Sequence, residues 1–98
     1  MIPKKITAAI ITFNEERNIE RCILSLIDCV DEILVVDSFS TDKTEEICKK
    51  YKVRFVQNPF EGHIEQKNVA LQLAAFDWVL SLDADEALTP ELKESILA

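Results

Sequence analysis

The sequence predicts an α/β domain built on an open parallel sheet, with the element order βαβαβαβα. Short runs of β-branched and apolar residues, typical of strands buried on both faces, alternate with segments whose apolar residues recur at helical spacing. Such alternation favours right-handed crossovers, with helices on both faces of the sheet. A chain of 98 residues has the length of one small domain.

The first half of the chain contains two predicted strand and helix pairs. Residues 5–12 and 32–37 are the apolar runs that predict the first two strands. The first helix is predicted by the stripe of Ile19, Cys22, Ile23, Leu26 and Ile27, and the second by that of Thr44, Ile47, Cys48 and Tyr51. We expect Asn14 to cap the first helix, and Asp42 with Glu45 has capping-box spacing before the second.

The second half continues the alternation. Residues 53–57 and 78–82 predict the third and fourth strands, and a third helix is predicted between them, up to about residue 75. The expected buried line of this third helix consists of Ile64, Leu71 and Ala75. Thr89 and Pro90 have the pattern of an N-cap and first helical residue, which predicts a fourth helix.

Composition and charge argue against several classes of function. The net charge of −7 argues against nucleic acid as the main partner, because that affinity depends on Lys and Arg. The single glycine, Gly62, excludes both the Walker loop and the GxGxxG turn. The sequence predicts no membrane span and no signal peptide, and it has no CxxC spacing. Cys22 and Cys48 are expected to be small buried side chains. We therefore expect a cytoplasmic chain that binds any nucleotide without a glycine cradle.

The candidate binding residues follow the strands, because open parallel sheets bind ligands beyond the carboxyl ends of their strands. Asp83 and Asp85 follow the fourth strand directly and suit Mg²⁺ or Mn²⁺, with Glu86 as a third carboxylate. Asp-x-Asp spacing alone is a weak signal, and solvated turn carboxylates are the alternative. Asp37, which ends the second strand, can accept a hydrogen bond from a ribose hydroxyl or a base N–H, or else it is a turn residue.

Other polar residues near these ends leave alternatives open. Lys67 can neutralise a diphosphate, or its side chain extends into solvent. His63, the only histidine, fits a surface residue better than a catalytic base. Asn14 and Thr12 are explained most simply as cap and turn residues. A cleft rich in carboxylates repels anions, and a metal-bridged diphosphate would resolve that conflict.

Four segments, in this order, resemble the signatures of family 2 glycosyltransferases, which have the Rossmann-like GT-A fold. They are Ile-Ile-Thr-Phe-Asn-Glu-Glu at 10–16, Val-Val-Asp-Ser-Phe-Ser-Thr-Asp-Lys-Thr at 35–44, Gln-Lys-Asn at 66–68 and Leu-Asp-Ala-Asp-Glu at 82–86. The resemblance covers essentially the whole chain, and four motifs in the right order are more specific than the DXD motif alone. The stretch at 60–68 is most similar to lipopolysaccharide-core β-1,4-glucosyltransferases.

The resemblance implies a nucleotide-sugar donor, such as a UDP-hexose, a saccharide or lipid-linked acceptor, and Mg²⁺ or Mn²⁺. It implies the donor-binding residues Thr12, Asn14, Glu15, Asp37, Lys67 and Asp83, and the metal ligand Asp85 assisted by Asp83. Two positions depart from the family pattern, because Ser38 stands where many members have a second Asp and Lys67 where many have Arg. These departures bear on the contacts to the nucleobase.

The resemblance also implies that residues 1–98 are the donor-binding portion of a longer transferase domain. In inverting members the general base lies well downstream of the DXD motif. We therefore expect it beyond Ala98, with no catalytic residue in this chain and little transfer activity. The longer protein is expected in the cytoplasm, or peripherally on the cytoplasmic face of the inner membrane. We also expect the outer edge of the fourth strand to favour self-association.

Two other interpretations stay open on the sequence. One is a catalytically idle module that binds nucleotides or partner proteins. The other is a phosphoacceptor receiver domain, which is also α/β with acidic strand ends. Receiver domains carry an acidic pair after the first strand, where this chain has Phe13 and Asn14. They also carry a Lys after a fifth strand, and this sequence predicts only four strands.

Overall fold

The computed structural model describes residues 5–87, which form a four-stranded, fully parallel sheet of order β3-β2-β1-β4. The strands are β1 (Ile6–Thr12), β2 (Glu32–Asp37), β3 (Arg54–Gln57) and β4 (Trp78–Asp83). The helices are α1 (Ile19–Leu26), α2 (Thr44–Lys49) and α3 (His63–Leu73). The predicted α/β class and the order of these seven elements are confirmed. The helix expected at Thr89 and Pro90 lies outside the described residues.

The strand order reverses next to β1. The chain moves outward from β1 to β2 and β3, and then returns to place β4 on the other side of β1. The register aligns Thr12 with Asp37 across β1 and β2, and Ile11 with Asp83 across β1 and β4. The carboxyl ends of these three strands therefore lie side by side, at the point where this class of sheet binds ligands.

The sheet is covered on both faces. Alternate residues of each strand point to opposite faces, so Ala8 and Ile10 pack with α1 residues in one core, while Ala9 packs with Ala70 of α3 in the other. The first core also contains the buried side chains of Ile19, Cys22, Ile23, Leu26 and Cys48. Each large apolar side chain buried in this way stabilises the fold by about 1.5–3 kcal/mol.

The buried face of α3 differs from the predicted one. Ile64 and Leu71 are 73% and 54% exposed, and Ala75 lies past the helix end, so the predicted stripe was wrong. The face that contacts the sheet instead carries Gln66, Val69, Ala70 and Leu73. Gln66 is fully buried because polar groups at the strand ends satisfy its amide. A polar contact therefore sets the rotation of α3, and apolar periodicity could not reveal it.

Two predicted helix caps, at Asn14 and at Asp42, were also wrong. Helix α1 begins at Ile19 after Asn18, whereas Asn14 lies four residues earlier with a left-handed φ of +52°. Asp42 does not form a capping box, because its Oδ1 accepts hydrogen bonds from the backbone N–H and the hydroxyl of Thr44, at 2.9 and 2.6 Å. Short polar side chains suit several kinds of turn, so composition alone does not distinguish caps from turn contacts.

The predicted burial of Cys22 and Cys48 is confirmed; Cys29 is buried as well, and the three cysteines form no disulfide with one another. Burial is the main cause that raises the pKa of Cys22 to about 11 and that of Cys48 to about 12, with nearby carboxylates adding to it. These thiols therefore stay protonated at neutral pH and pack as small apolar groups. Within residues 5–87 no helix is both long and apolar enough to cross a membrane.

Candidate functional site

A cleft of about 260 Å³ opens at the carboxyl edge of the sheet, above the ends of β1 and β4. Its floor includes Thr12 at the end of β1 and Ser38 just after β2. One end is acidic and carries Glu15, Asp83 and Asp85, while the other carries Phe13, Phe60 and His63. The cleft therefore occupies the place where the strand order reverses, as the sequence predicted.

The carboxylates of Asp83 and Asp85 are exposed at the acidic end. The turn that carries them is held by its own backbone, since the N–H of Glu86 donates to the carbonyl of Asp83 at 2.9 Å. Glu86 in turn accepts a 2.8 Å hydrogen bond from the Asp83 N–H through its Oε1. The carboxylate expected as a third ligand is thus engaged in shaping the turn.

Arg21 of α1 holds the same turn from outside. Its Nη2 donates to the backbone carbonyl of Asp85 at 2.9 Å, and this leaves the Asp85 side chain unbound. Among residues 5–87 no side chain donates a hydrogen bond to the carboxylate of Asp83 or Asp85. Two carboxylates side by side and without cationic partners repel each other, so a cation bound between them relieves that repulsion.

The acidic end fits a divalent cation of the hard, oxygen-binding kind. No cluster of three or more His, Cys, Asp or Glu side chains able to hold a metal occurs in the described part of the chain. Mg²⁺ and Mn²⁺ need no such cage when a phosphate supplies further ligands, because one or two carboxylates are then enough. Asp83 and Asp85 supply that smaller donor set.

The opposite end of the cleft is apolar. Phe13, Phe60, His63 and Ser38 also line an adjoining hollow of about 280 Å³. The rings of Phe60 and His63 meet edge to face with centroids 5.2 Å apart, and Phe13 and Phe60 are largely exposed. Exposed aromatic faces of this kind are suited to stack against a flat heterocycle.

Asp37 lies beneath the cleft and is fully buried. Its Oδ1 accepts hydrogen bonds from the hydroxyls of Thr12, at 2.6 Å, and Ser40, at 2.5 Å. Its Oδ2 accepts the N–H of Ser40 at 2.8 Å. The structure therefore places Asp37 as the group that ties the end of β1 to the loop between β2 and α2.

The loop after β1 is docked on the loop after β2 by its backbone amides. The N–H groups of Asn14, Glu15 and Glu16 donate to Ser40 Oγ, Thr44 Oγ1 and Asp42 Oδ2, at 2.8, 2.9 and 3.1 Å. The side chain of Asn14 also accepts the N–H of Thr41 at 2.8 Å. Successive amides can form an anion-binding nest, but here side chains satisfy them. Because side chains satisfy these amides, the loop after β1 keeps its conformation without a glycine.

The same contacts affect the charge of Asp42. Burial alone would raise the pKa of Asp42, but the hydrogen bonds from Thr44 and from the Glu16 N–H outweigh that effect and lower it. Asp42 is therefore an anion at neutral pH, and its role in the structure is to hold the two loops together. The sequence pattern had predicted only a helix cap at Asp42.

Gln66 is a site residue that the sequence analysis missed. Its Nε2 donates to Ser38 Oγ at 3.0 Å, and its Oε1 accepts from Asn58 Nδ2 at 2.9 Å, so it links the ends of β2 and β3 to α3. The only signal in the sequence was its place in the Gln-Lys-Asn segment, in which Lys67 was predicted as the binding residue. Lys67 itself is exposed and does not line the cleft.

The structure thus brings together four of the predicted site residues. Thr12, Glu15, Asp83 and Asp85 line one cleft. Asn14 lies in the loop beside it and Asp37 lies below it, whereas Lys67 lies on the exposed side of α3.

The general base is a predicted part of the site that the described residues do not include. It is expected beyond Ala98, and both that region and Ala98 itself lie outside the described residues, 5–87. Its position therefore stays a prediction.

Comparisons with known proteins agree with this architecture. The family model described as Glycosyl transferase family 2 matches residues 7–98. An uncharacterized glycosyltransferase of Rickettsia bellii is 45% identical over 96 residues, which cover 98% of this chain and 33% of that protein. The lipopolysaccharide core biosynthesis glycosyltransferase LpsC of Rhizobium meliloti is 41% identical over 100 residues, which cover 96% and 37%. The chain spans about a third of the length of these relatives.

Solved structures show the same fold. S. aureus TarS 1-349 superposes with a TM-score of 0.76 at 30% identity, covering 93% of this chain and 30% of that one, and its complex with UDP superposes at 0.73 and 30% identity with the same coverage. Glucosyl-3-phosphoglycerate synthase from Mycobacterium tuberculosis, in complex with Mn²⁺, UDP and glucosyl-3-phosphoglycerate, superposes at 0.75 with 28% identity, covering 86% and 36%. These neighbours are GT-A glycosyltransferases.

Proposed function

The chain belongs to glycosyl transferase family 2, and from this we propose that it is the donor-binding part of a metal-dependent hexosyltransferase that uses a UDP-sugar. One observation carries the proposal: a single cleft joins two carboxylates, which have no cationic partner among residues 5–87, to an aromatic end. A nucleoside diphosphate has the same two parts, because its base is flat and its diphosphate binds a cation. UDP in the related structures supports this reading.

The acidic end is the proposed metal site. Asp85 would be the main ligand and Asp83 would approach the metal or the ribose, with the donor diphosphate supplying further oxygens. Mg²⁺ or Mn²⁺ bound there supplies Lewis-acid stabilisation of the departing diphosphate. Mn²⁺ with UDP in the glucosyl-3-phosphoglycerate synthase structure supports the choice of metal.

The other predicted residues differ in how closely they would approach the donor. Thr12, Asn14 and Glu15 border the nucleotide, and Phe13 and Phe60 flank its base. Asp37, fully buried below the cleft, would support the nucleotide site by holding Thr12 and Ser40 in place beneath the ribose or base. Lys67, on the exposed side of α3, would reach the donor only at its edge.

The proposed acceptor is a saccharide or a lipid-linked saccharide of the cell envelope. The similarity to LpsC, a lipopolysaccharide core biosynthesis glycosyltransferase, supports lipopolysaccharide synthesis as the setting. Such an enzyme would work in the cytoplasm or on the cytoplasmic face of the inner membrane.

Calorimetric titration of UDP into the purified chain, with and without Mn²⁺, tests the proposal. We expect Mn²⁺ to tighten UDP binding by at least about tenfold, because the metal removes the repulsion between carboxylates and diphosphate. Asp85→Ala should abolish that gain, whereas Asp77→Ala, at an exposed aspartate outside the cleft, should keep it. Equal affinity for UDP with and without Mn²⁺ would contradict the metal site. The absence of any UDP binding would favour a module that binds partner proteins.

A further inference from the structure

The turn that carries Asp83 and Asp85 is anchored in the core by the residue between them. Ala84 is 2% exposed and belongs to the same hydrophobic cluster as Ile19 and Cys22 of α1. The aspartates on either side of it are exposed and line the cleft. The buried methyl group therefore seats the turn on the core, but an apolar contact is not directional and does not orient the backbone that follows it.

Arg21 supplies a directional contact to this turn. Its Nη2 donates to the backbone carbonyl of Asp85 at 2.9 Å and so joins the turn to α1. A guanidinium forms strong, charge-assisted hydrogen bonds, and this one orients the peptide group after Asp85 without occupying a carboxylate oxygen. The two hydrogen bonds between Asp83 and Glu86 lie within the turn, so they shape it but do not attach it to another element.

The charge of Arg21 acts on the same small region as the carboxylates. Cys22, its neighbour in α1, is fully buried, and burial is the main cause that raises the pKa of its thiol. The charges of Glu86 and Asp85 raise that pKa further, whereas the charge of Arg21 lowers it. Arg21 is therefore a cation close to a turn that is proposed to bind a cation. Its charge alone opposes metal binding, so any benefit must come from the geometry that it imposes.

We propose that Arg21 is a positioning residue for the metal site: by holding the Asp85 backbone on α1, it keeps the carboxylates of Asp83 and Asp85 directed toward the cleft together. The inference rests on the proposed function and deepens it. Two carboxylates bind one ion best when both are oriented beforehand, because ordering them during binding costs conformational entropy. Removing a residue that orients metal ligands in this way typically weakens metal binding by about 10–100-fold.

Titration of Mn²⁺ into the chain at saturating UDP tests this role. Electron paramagnetic resonance is the readout, because the free hydrated ion gives a sharp signal that is lost on binding, and UDP without protein supplies the baseline. We expect Arg21→Met to weaken Mn²⁺ binding by about tenfold. Methionine forms helices well and has a long apolar stem, but it has no hydrogen-bond donor. The affinity for UDP without metal, measured by calorimetry, should stay the same.

Arg17→Met is the matched control. Arg17 is an exposed arginine in the turn before α1 and does not line the cleft, so this variant removes the same charge but keeps the contact between Arg21 and Asp85. It should leave Mn²⁺ binding unchanged, and an equal loss in both variants would contradict the role of that contact. Should Arg21→Met destabilise the chain too far for titration, Arg21→Leu, which also lacks a donor, provides the same comparison. Circular dichroism shows whether each variant is folded and gives its melting temperature.

The sign of the change separates positioning from charge and from folding. If Arg21 acted only as a nearby cation, Arg21→Met would tighten Mn²⁺ binding, because it removes a positive charge from beside the carboxylates. If Arg21 only stabilised the fold, the melting temperature would fall while the folded chain kept its affinity for Mn²⁺. Either result would overturn the inference and leave the metal site standing. A wild-type chain that binds no Mn²⁺ above the baseline of UDP alone would instead overturn the proposed function.

Discussion

Asp37 is a fully buried carboxylate that is surrounded by hydroxyl and amide donors. Neither ion pair of the described residues includes it, since these join Lys49 to Glu45 and Arg54 to Glu32. Burying a charge is costly unless hydrogen bonds replace its hydration, and the three donated bonds supply that replacement. The position of the loop after β2, and with it Ser38, depends on this carboxylate.

We expect Asp37→Asn to lower the free energy of unfolding by about 1–3 kcal/mol. The amide places an NH₂ group where the carboxylate accepted either the Ser40 N–H or the two hydroxyls, so at least one donor loses its acceptor. Urea denaturation measures the effect. Asp77→Asn, at an exposed position, is the matched control, and equal unfolding midpoints for the two variants would contradict the role assigned to Asp37.

For individual polar residues, the sequence predicted which residue types lie at the strand ends but not the hydrogen bonds that they form. The residue types at the strand ends were predictable, because the topology brings all carboxyl ends to one edge, and Thr12, Asp83 and Asp85 do meet there. Their partners were not predictable. Asn14 and Asp42 have side chains that serve caps and turns equally well, and the choice depends on which loop lies within reach in three dimensions.

At the scale of elements, the sequence pattern predicted where α3 lies in the chain but not which of its faces packs against the sheet. The bounds of α3 were close to the prediction. The predicted rotation of the helix about its axis was wrong, because Ile64 and Leu71 suggested an apolar stripe. Ala70 meets Ala9 of β1 on the side that faces the sheet, and Gln66 meets the strand ends. Small and polar residues carry little weight in a hydrophobicity pattern, so the pattern pointed to the wrong face.

Two leucines of α3, two residues apart, test this rotation. Leu73→Ala should lower the free energy of unfolding by about 1–2 kcal/mol, since Leu73 is half-buried against the core around Leu34 and Val36. Leu71→Ala should change it by less than about 0.5 kcal/mol, because its side chain is already exposed. Chemical denaturation of the pair measures both, and a larger loss for Leu71→Ala would restore the stripe predicted from the sequence.

At the scale of the whole molecule, the order of strands and helices was predictable because strands buried on both faces appear in the sequence as continuous apolar runs. The runs of β1 and β2 are nearly all buried, and they form the centre of the sheet. β3 and β4 are at its edges, and their side chains are mostly half-buried or exposed. Edge strands carry weaker hydrophobic signals, and their unsatisfied backbone groups are open to pairing.

The outer edge of β4 is the surface through which we predict self-association. Within the described residues β4 pairs only with β1, and Trp78 at its start is 54% exposed. A second copy can add its own edge there, so sedimentation velocity of the purified chain should show a mass that rises with concentration. Trp78→Lys should weaken the association by about tenfold, because charged side chains on an edge oppose strand addition. Phe39→Lys changes an aromatic residue of similar exposure, 56%, in the loop after β2, and should leave the association unchanged. Equal effects of the two variants would assign the contact to general surface charge, and a monomer at every concentration would exclude pairing through β4.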